Sequence, residues 1–184
     1  RDKEDQIQSV QAVYLDKETA KKADVEVQKQ TFGPTKEALF AANVGSENNK
    51  AAVICEGPED ALSILKSTSG KDVYACLGKS NFNNLNHDKL DKYEKIILAL
   101  DNDGKKIGDM PDILNVATKL NVSGKEVMLA QPDTVKKDYN DTLKLQGSRG
   151  VENILSNGKS FADIKSSKDV KIEKMNDKIM EKEI

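Results

Sequence analysis

Ile96-Ile97-Leu98-Ala99-Leu100-Asp101-Asn102-Asp103-Gly104 is the stretch on which the reading of this chain turns. It has an earlier counterpart in Ala52-Val53-Ile54-Cys55-Glu56-Gly57, followed at once by Pro58-Glu59-Asp60-Ala61-Leu62-Ser63. Each apolar run is short and closed by turn residues. Each therefore predicts a buried strand with its carboxylates just past the C-terminal end. In an open α/β sheet ligands bind outside that edge. Glu56 from one strand and the Asp101-x-Asp103 pair from another would then meet in one crevice. Carboxylates held close repel one another, and a hard divalent cation is the usual resolution. The expectation is a Mg²⁺ (or Mn²⁺) site suited to phosphoryl chemistry.

Outward from these two signatures, strands and helices alternate. Ala61, Leu62, Ile64 and Leu65 give Glu59–Lys66 a helical apolar face, with Pro58 tolerated in the first turn. A strand is predicted over Asp72–Leu77, a loop at Gly78-Lys79-Ser80-Asn81, and a short helical piece over Asn84–Leu90. Ile113, Val116, Ala117 and Leu120 mark an amphipathic helix from about Met110 to Leu120. Glu126–Ala130 reads as a further strand, stopped by Gln131-Pro132. Helices are expected around Thr142–Gln146 and Val151–Leu155. This alternation predicts a mostly parallel sheet covered on both faces.

The front of the chain differs. Val10, Ala12, Val13 and Leu15 suggest a strand within Gln8–Asp16, followed by a polar connection over Lys17–Gln30. Phe32-Gly33-Pro34 is a turn signal, and Ala38–Val44 a second strand. Lys165–Ile184 is dominated by Lys, Asp and Glu and reads as a solvated helix. The expected division is a β lead-in over 1–48, a core over 49–157 and a charged helical tail over 158–184.

Composition limits the alternatives. The 184 residues suit one α/β domain with a small appendage, and 4% aromatics with no Trp leave Val, Ile, Leu and Ala to fill the core. A net charge of −2 excludes a strongly basic, autonomous nucleic-acid binder; metal ions and neighbouring domains would have to supply positive charge. Cys55 and Cys76 lie inside apolar runs and read as buried hydrophobes, and with only these two cysteines and a single histidine, His87, a zinc cluster is not expected. No stretch has the length of a membrane span, so no membrane partner and a cytoplasmic setting are expected. The start at Arg1 suggests a segment of a longer polypeptide.

The ordered set Glu56-Gly57-Pro58-Glu59-Asp60-Ala61-Leu62-Ser63, a glycine loop after the next strand, then Leu100-Asp101-Asn102-Asp103-Gly104, resembles the Toprim domain. That is the catalytic fold shared by bacterial-type primases, topoisomerases and certain nucleases. The resemblance spans roughly Lys50–Leu145. Lys137-Asp138-Tyr139-Asn140-Asp141 is closest to primase-like members. The lead-in Val10–Asp16 with Lys29-Gln30-Thr31-Phe32-Gly33 is similar to the segment before the domain in plasmid and phage primases, and to an arrangement in some conjugative relaxases. The resemblance implies an α/β, Rossmann-like architecture in a DNA-processing parent whose partners are DNA or RNA, nucleotides and further domains. It also implies Glu56 as general acid/base, or as a metal ligand in hydrolytic relatives, with Asp101 and Asp103 holding Mg²⁺.

Elementary chemistry agrees. A carboxylate beside a phosphate can shuttle the proton of an attacking or leaving hydroxyl. A spacing of two in extended backbone puts Asp101 and Asp103 on one side and Asn102 on the other. Gly57, Gly78 and Gly104 keep the backbone small where a nucleotide must approach, and Lys79 and Lys105 could steer phosphates. Asp138 and Asp141 follow the next strand edge and could complete a second metal position; Asp138 or Asn140 would serve equally as a helix N-cap. Asp60 reads as a first-turn carboxylate favoured by the helix macrodipole. Pro58 would stiffen the turn after Glu56. Two other functions are compatible with these residues. One is a non-catalytic scaffold or nucleic-acid-docking module of the same fold. The other is a haloacid-dehalogenase-type phosphatase, although Lys105 stands where that motif has threonine.

Overall fold

Four of the apolar runs expected as strands form the parallel centre of a six-stranded sheet in the computed structural model. It describes residues 6–19, 21–43, 49–85, 88–135 and 137–167. In chain order the strands are β1 (Val10–Val13), β2 (Lys29–Phe32), β3 (Phe40–Asn43), β4 (Ala51–Cys55), β5 (Asp72–Ala75), β6 (Lys95–Ala99), β7 (Glu126–Ala130) and β8 (Lys159–Ser160). The helices are α1 (Pro58–Ser67), α2 (Pro111–Val122) and α3 (Tyr139–Ser156).

The sheet runs β3-β5-β4-β6-β7-β8. β5, β4, β6 and β7 are parallel, and β3 and β8 are antiparallel edges. Both faces are covered, so neighbouring residues on one strand enter different cores. Val53, Cys55, Ile97 and Ala99 pack under α1 and α3 with Ile64, Tyr139 and Leu155. Ile54, Ile96, Leu98 and Leu129 pack under α2 with Ile113, Val116 and Leu120. That is why these runs are apolar without alternation.

Strand order places the crevice. From β4 the chain crosses through α1 to β5 on one side, and then returns past β4 to β6 on the other. Two neighbouring strands thus send their connections in opposite directions, and the space beyond their C-terminal ends stays open. Cys55 and Ala99 are register partners, so Glu56 and Asp101 leave this switch point from adjacent strands.

Several expected boundaries shift. β3, read as lead-in, pairs with β5 in the main sheet. β2 lies at the end of the expected polar connection and takes in Phe32 from the expected turn; β1 and β2 form a separate antiparallel hairpin. All four β2 residues are exposed, so no apolar alternation marked them. The loop expected from Gly78 becomes a 3₁₀ helix over Lys79–Asn84, anchored by buried Phe82. Asp88–Leu90 forms another 3₁₀ turn, while His87 lies outside the described residues. Residues 161–167 are helical, and the rest of the expected tail helix lies outside the described residues.

The two helices expected in the last third are halves of α3, divided at Gly147, where φ is 68° and ψ −172°. After the break Gly150 closes on the first half: a Cβ there would stand 2.5 Å from Gln146 Cβ and 3.3 Å from Thr142 Cγ2. Gly150→Ala is expected to destabilise the chain by about 1–2 kcal/mol through overpacking, seen as a lower urea midpoint at unchanged slope.

The opposite, N-terminal end of the sheet is tied by hydrogen bonds. Asp72 accepts from Tyr93 Oη at 2.5 Å, Lys92 Nζ at 3.0 Å and Asn49 Nδ2 at 3.1 Å. Buried Lys125 donates to the carbonyls of Leu90 and Tyr93.

Candidate functional site

Glu56 follows β4 directly, and Gly57 caps α1 in extended conformation with Pro58 in the first helical turn. The carboxyl is half-buried. Burial pushes it up from its ordinary range, as does the Asp103 charge; the Lys79 ammonium, a hydrogen bond from the Lys79 backbone and Lys29 oppose this. Such a group holds its proton more readily than a surface glutamate does.

Asp101 and Asp103 flank a structural residue. Asn102 is buried; its Nδ2 donates to the Pro132 carbonyl at 2.7 Å and its Oδ1 accepts from Gly104 N–H at 3.0 Å. A backbone bond from Asn102 N–H to the Lys137 carbonyl, 3.1 Å, pins the same residue to the loop after β7. Gly104 has φ 86°, which an L side chain adopts only with strain. Both aspartates electrostatically feel Glu56. Asp101 is pushed up to about 8, first by burial and then by the charges of Asp60, Glu56, Asp138 and Asp103. Its Oδ1 is buried without a hydrogen-bond partner.

Lys79 enters from the third side. Leu77 and Gly78, at φ 61° and 137°, turn the chain sharply after β5, and Gly78 N–H donates to the Glu56 carbonyl at 3.1 Å. The Lys79 ammonium then pairs with Asp103. Gly78, Lys79, Glu56, Asp101 and Asp103 are thus brought to one crevice.

The remaining expected residues divide. Asp138 is the N-cap of α3, accepting from Asp141 N–H at 2.6 Å, and its charge still reaches Asp101 and Asp60. Asp141 pairs with Lys137 at 3.4 Å. Gly104 and Lys105 border a groove of about 1090 Å³ on the β7–β8 side, together with Lys106, Asp133 and Lys159. Cys55 and Cys76 are buried and free; burial raises both thiols, Cys76 to about 12, which keeps them neutral.

Asp60 has a larger part than a first-turn helix charge. It is buried, and its Oδ1 accepts from the backbone N–H groups of Tyr139 and Asn140 at 3.0 and 3.1 Å, so α1 caps α3. Burial and Asp138 push its carboxyl up to about 7. A signal was present: Asp60, Ala61, Ser63, Ile64 and Ser67 share the buried face of α1. Lys29 of the hairpin, which acts on Glu56, and Lys22, 3.5 Å from Glu59, carried no such signal.

Among the described residues, no three Asp, Glu, His or Cys side chains stand as a ready metal cage. The donor chemistry nevertheless fits a hard cation: carboxylate oxygens only, mutually repelling, with Asp101 Oδ1 buried and unpartnered. No described helix is long and apolar enough to cross a membrane.

Comparison with curated proteins finds no match. Among solved structures, the Escherichia coli primase catalytic core is similar with a TM-score of 0.60 at 13% identity, over 79% of this chain and 49% of that one. A Pseudomonas aeruginosa DNA primase domain gives 0.56 at 14% identity, over 77% and 46%. The zinc-binding and RNA polymerase domains of Aquifex aeolicus primase give 0.56 at 17% identity, over 75% and 35%. These likenesses concern the fold, and the chain spans half or less of each of these structures. The family model for the Toprim domain matches residues 51–149, more than half of the chain, and covers both strand ends that carry Glu56, Asp101 and Asp103. The chain belongs to the Toprim domain family.

Proposed function

We propose that this chain is the catalytic Toprim module of a larger DNA-processing protein, either a plasmid- or phage-type primase or a conjugative relaxase with a primase-like domain. It would perform Mg²⁺-dependent nucleotidyl transfer or phosphodiester chemistry on DNA or RNA. The observation that carries this is the convergence of Glu56 with Asp101 across the switch point, where Asp101 Oδ1 is buried without a partner. Two similar primase structures are described as bound to single-stranded and to double-stranded DNA, which supports nucleic acid as the partner.

In this reading Glu56 takes or returns the proton of the reacting hydroxyl. Its partial burial and the Asp103 charge favour the protonated form, and Lys79 and Lys29 favour the ionised one. Asp101 and Asp103 would hold Mg²⁺ or Mn²⁺. Asp138, whose charge reaches Asp101, is the better placed of the two later aspartates for a second ion, because Asp141 is engaged by Lys137. A bound divalent ion supplies neutralisation of the charge that builds on phosphoryl oxygens. Gly57, Gly78 and Gly104 leave room for a nucleotide backbone, and Lys79 and Lys105 offer positive charge to phosphates. The Asp-Asn-Asp loop stays in place because Asn102 is hydrogen-bonded on three sides.

Calorimetric titration of Mn²⁺ into the chain and into Asp101→Asn/Asp103→Asn tests the assignment. Uptake is expected in the unaltered chain, and a loss of at least about tenfold in affinity in the double variant, from removal of two charge-bearing ligands. Equal uptake by both proteins would place the ion elsewhere. Metal uptake without primer synthesis or nicking, with nucleotide and template present, would favour the non-catalytic scaffold.

A further inference from the structure

The Gly78-Lys79 turn joins the two halves of the crevice, and the phosphate role given to Lys79 leaves its pairing with Asp103 unused. Its backbone belongs to Glu56: Gly78 N–H donates to the Glu56 carbonyl and Lys79 N–H to the Glu56 carboxylate. Its side chain belongs to Asp103, with which the ammonium pairs. The base of the residue is fixed by these bonds and by Asn81 N–H on the Gly78 carbonyl, 3.0 Å. The Lys79 side chain above it is 43% exposed, and the Asp103 side chain its ammonium pairs with is 56% exposed. An ion pair so open to water is weak, and a lysine ammonium swings at little cost.

We propose that Lys79 is the resident counter-ion of the crevice: it yields Asp103 to an incoming divalent cation and turns to the phosphate that arrives with it, making metal and phosphate binding interdependent. The inference rests on the metal reading given above. The physical ground is charge. The ammonium lies among Asp103, Glu56 and Asp101, so it lowers the negative potential that a dication would feel, and a dication on Asp103 repels it. Once displaced, it stands as a free cation tethered beside the acidic pair, and the phosphate oxygens of a nucleotide would be its next partner. Lys137 does not duplicate this, being held by Asp141 within one turn.

The test is calorimetric titration of Mn²⁺ into the chain, Lys79→Met and Lys79→Arg, alone and with saturating α,β-methylene-ATP. Met keeps the stem and removes the charge. Lys79→Met is expected to bind Mn²⁺ alone about fivefold to tenfold more tightly than the unaltered chain, the scale of one unit charge acting on a dication through water. It is also expected to lose most of the gain in Mn²⁺ affinity that the analogue confers. Lys79→Arg should restore both behaviours. Unchanged or weaker Mn²⁺ binding by Lys79→Met, or an undiminished gain with the analogue, overturns the counter-ion role while leaving the metal site standing. No Mn²⁺ uptake by any of the three proteins overturns both.

Discussion

Glu56→Gln is expected to lower primer synthesis or strand nicking by about 10²–10⁴-fold, the usual contribution of a positioned acid–base group. Gln keeps the size of the side chain and its ability to accept the Lys79 backbone bond, and it removes the proton-exchanging function. The fold should be unaffected, because Glu56 lies past the end of β4 and the β4–β6 ladder ends at Cys55 and Ala99. Mn²⁺ uptake should be retained, since the ion is assigned to Asp101 and Asp103. The two readouts together make the result specific. Lost turnover with retained metal identifies an acid–base group, lost metal would move Glu56 into the ligand set, and unchanged turnover would remove it from the chemistry.

The metal-free chain is expected to become less stable as pH rises from 5 to 8, by roughly 2–3 kcal/mol after discounting for the partial solvent access of the carboxyls. The sign follows from proton binding. Asp60 and Asp101 titrate at about 7 and about 8 in the folded chain, and near ordinary aspartate values once unfolded. Between about pH 4 and pH 8 the folded chain therefore holds more protons than the unfolded one, so each rise in pH favours unfolding. The two groups repel each other and titrate as a coupled pair, so their contributions are not summed. Thermal unfolding in EDTA should show a midpoint falling by roughly 5–10 °C across this window. Asp101→Asn should flatten the slope and be the more stable protein at pH 8. Excess Mn²⁺ at pH 8 should recover stability in the unaltered chain only, through binding to the folded state. A midpoint that is flat or rising from pH 5 to 8 would mean that the carboxyls are not forced together as the crevice geometry requires.

Much of the site is legible in the sequence because its residues sit at strand ends. An apolar run four or five residues long followed by Glu-Gly or Asp-x-Asp-Gly reports both the strand and the side on which its carboxylates emerge. The hydrogen bonds of Asn102 to Pro132, Gly104 and Lys137 were not legible, because their partners lie in another loop or depend on the local turn. The two final helices were legible as separate, and in the structure Gly147 is the break between them. β2 was not, since a fully exposed strand has no periodicity to betray it.

Residues whose importance depends on a distant partner were harder to see. Asp60 carries the sequence marks of an ordinary first-turn acid and owes its burial to α3, nearly eighty residues later. Lys29 comes from a hairpin outside the main sheet, and Lys79 from a turn after a different strand; nothing local records which carboxylate either will meet.

By itself the sequence determined the strand–helix alternation, the family motifs and the position of the three carboxylates just past strand ends, because hydrophobic period and turn chemistry are local properties. Only the tertiary structure decided that β4 and β6 lie side by side at the switch point and that Asp60 meets the start of α3. It alone paired Lys79 with Asp103. Those outcomes are set by strand order and by the electrostatics of a half-buried crevice, which exist only once distant segments have packed together.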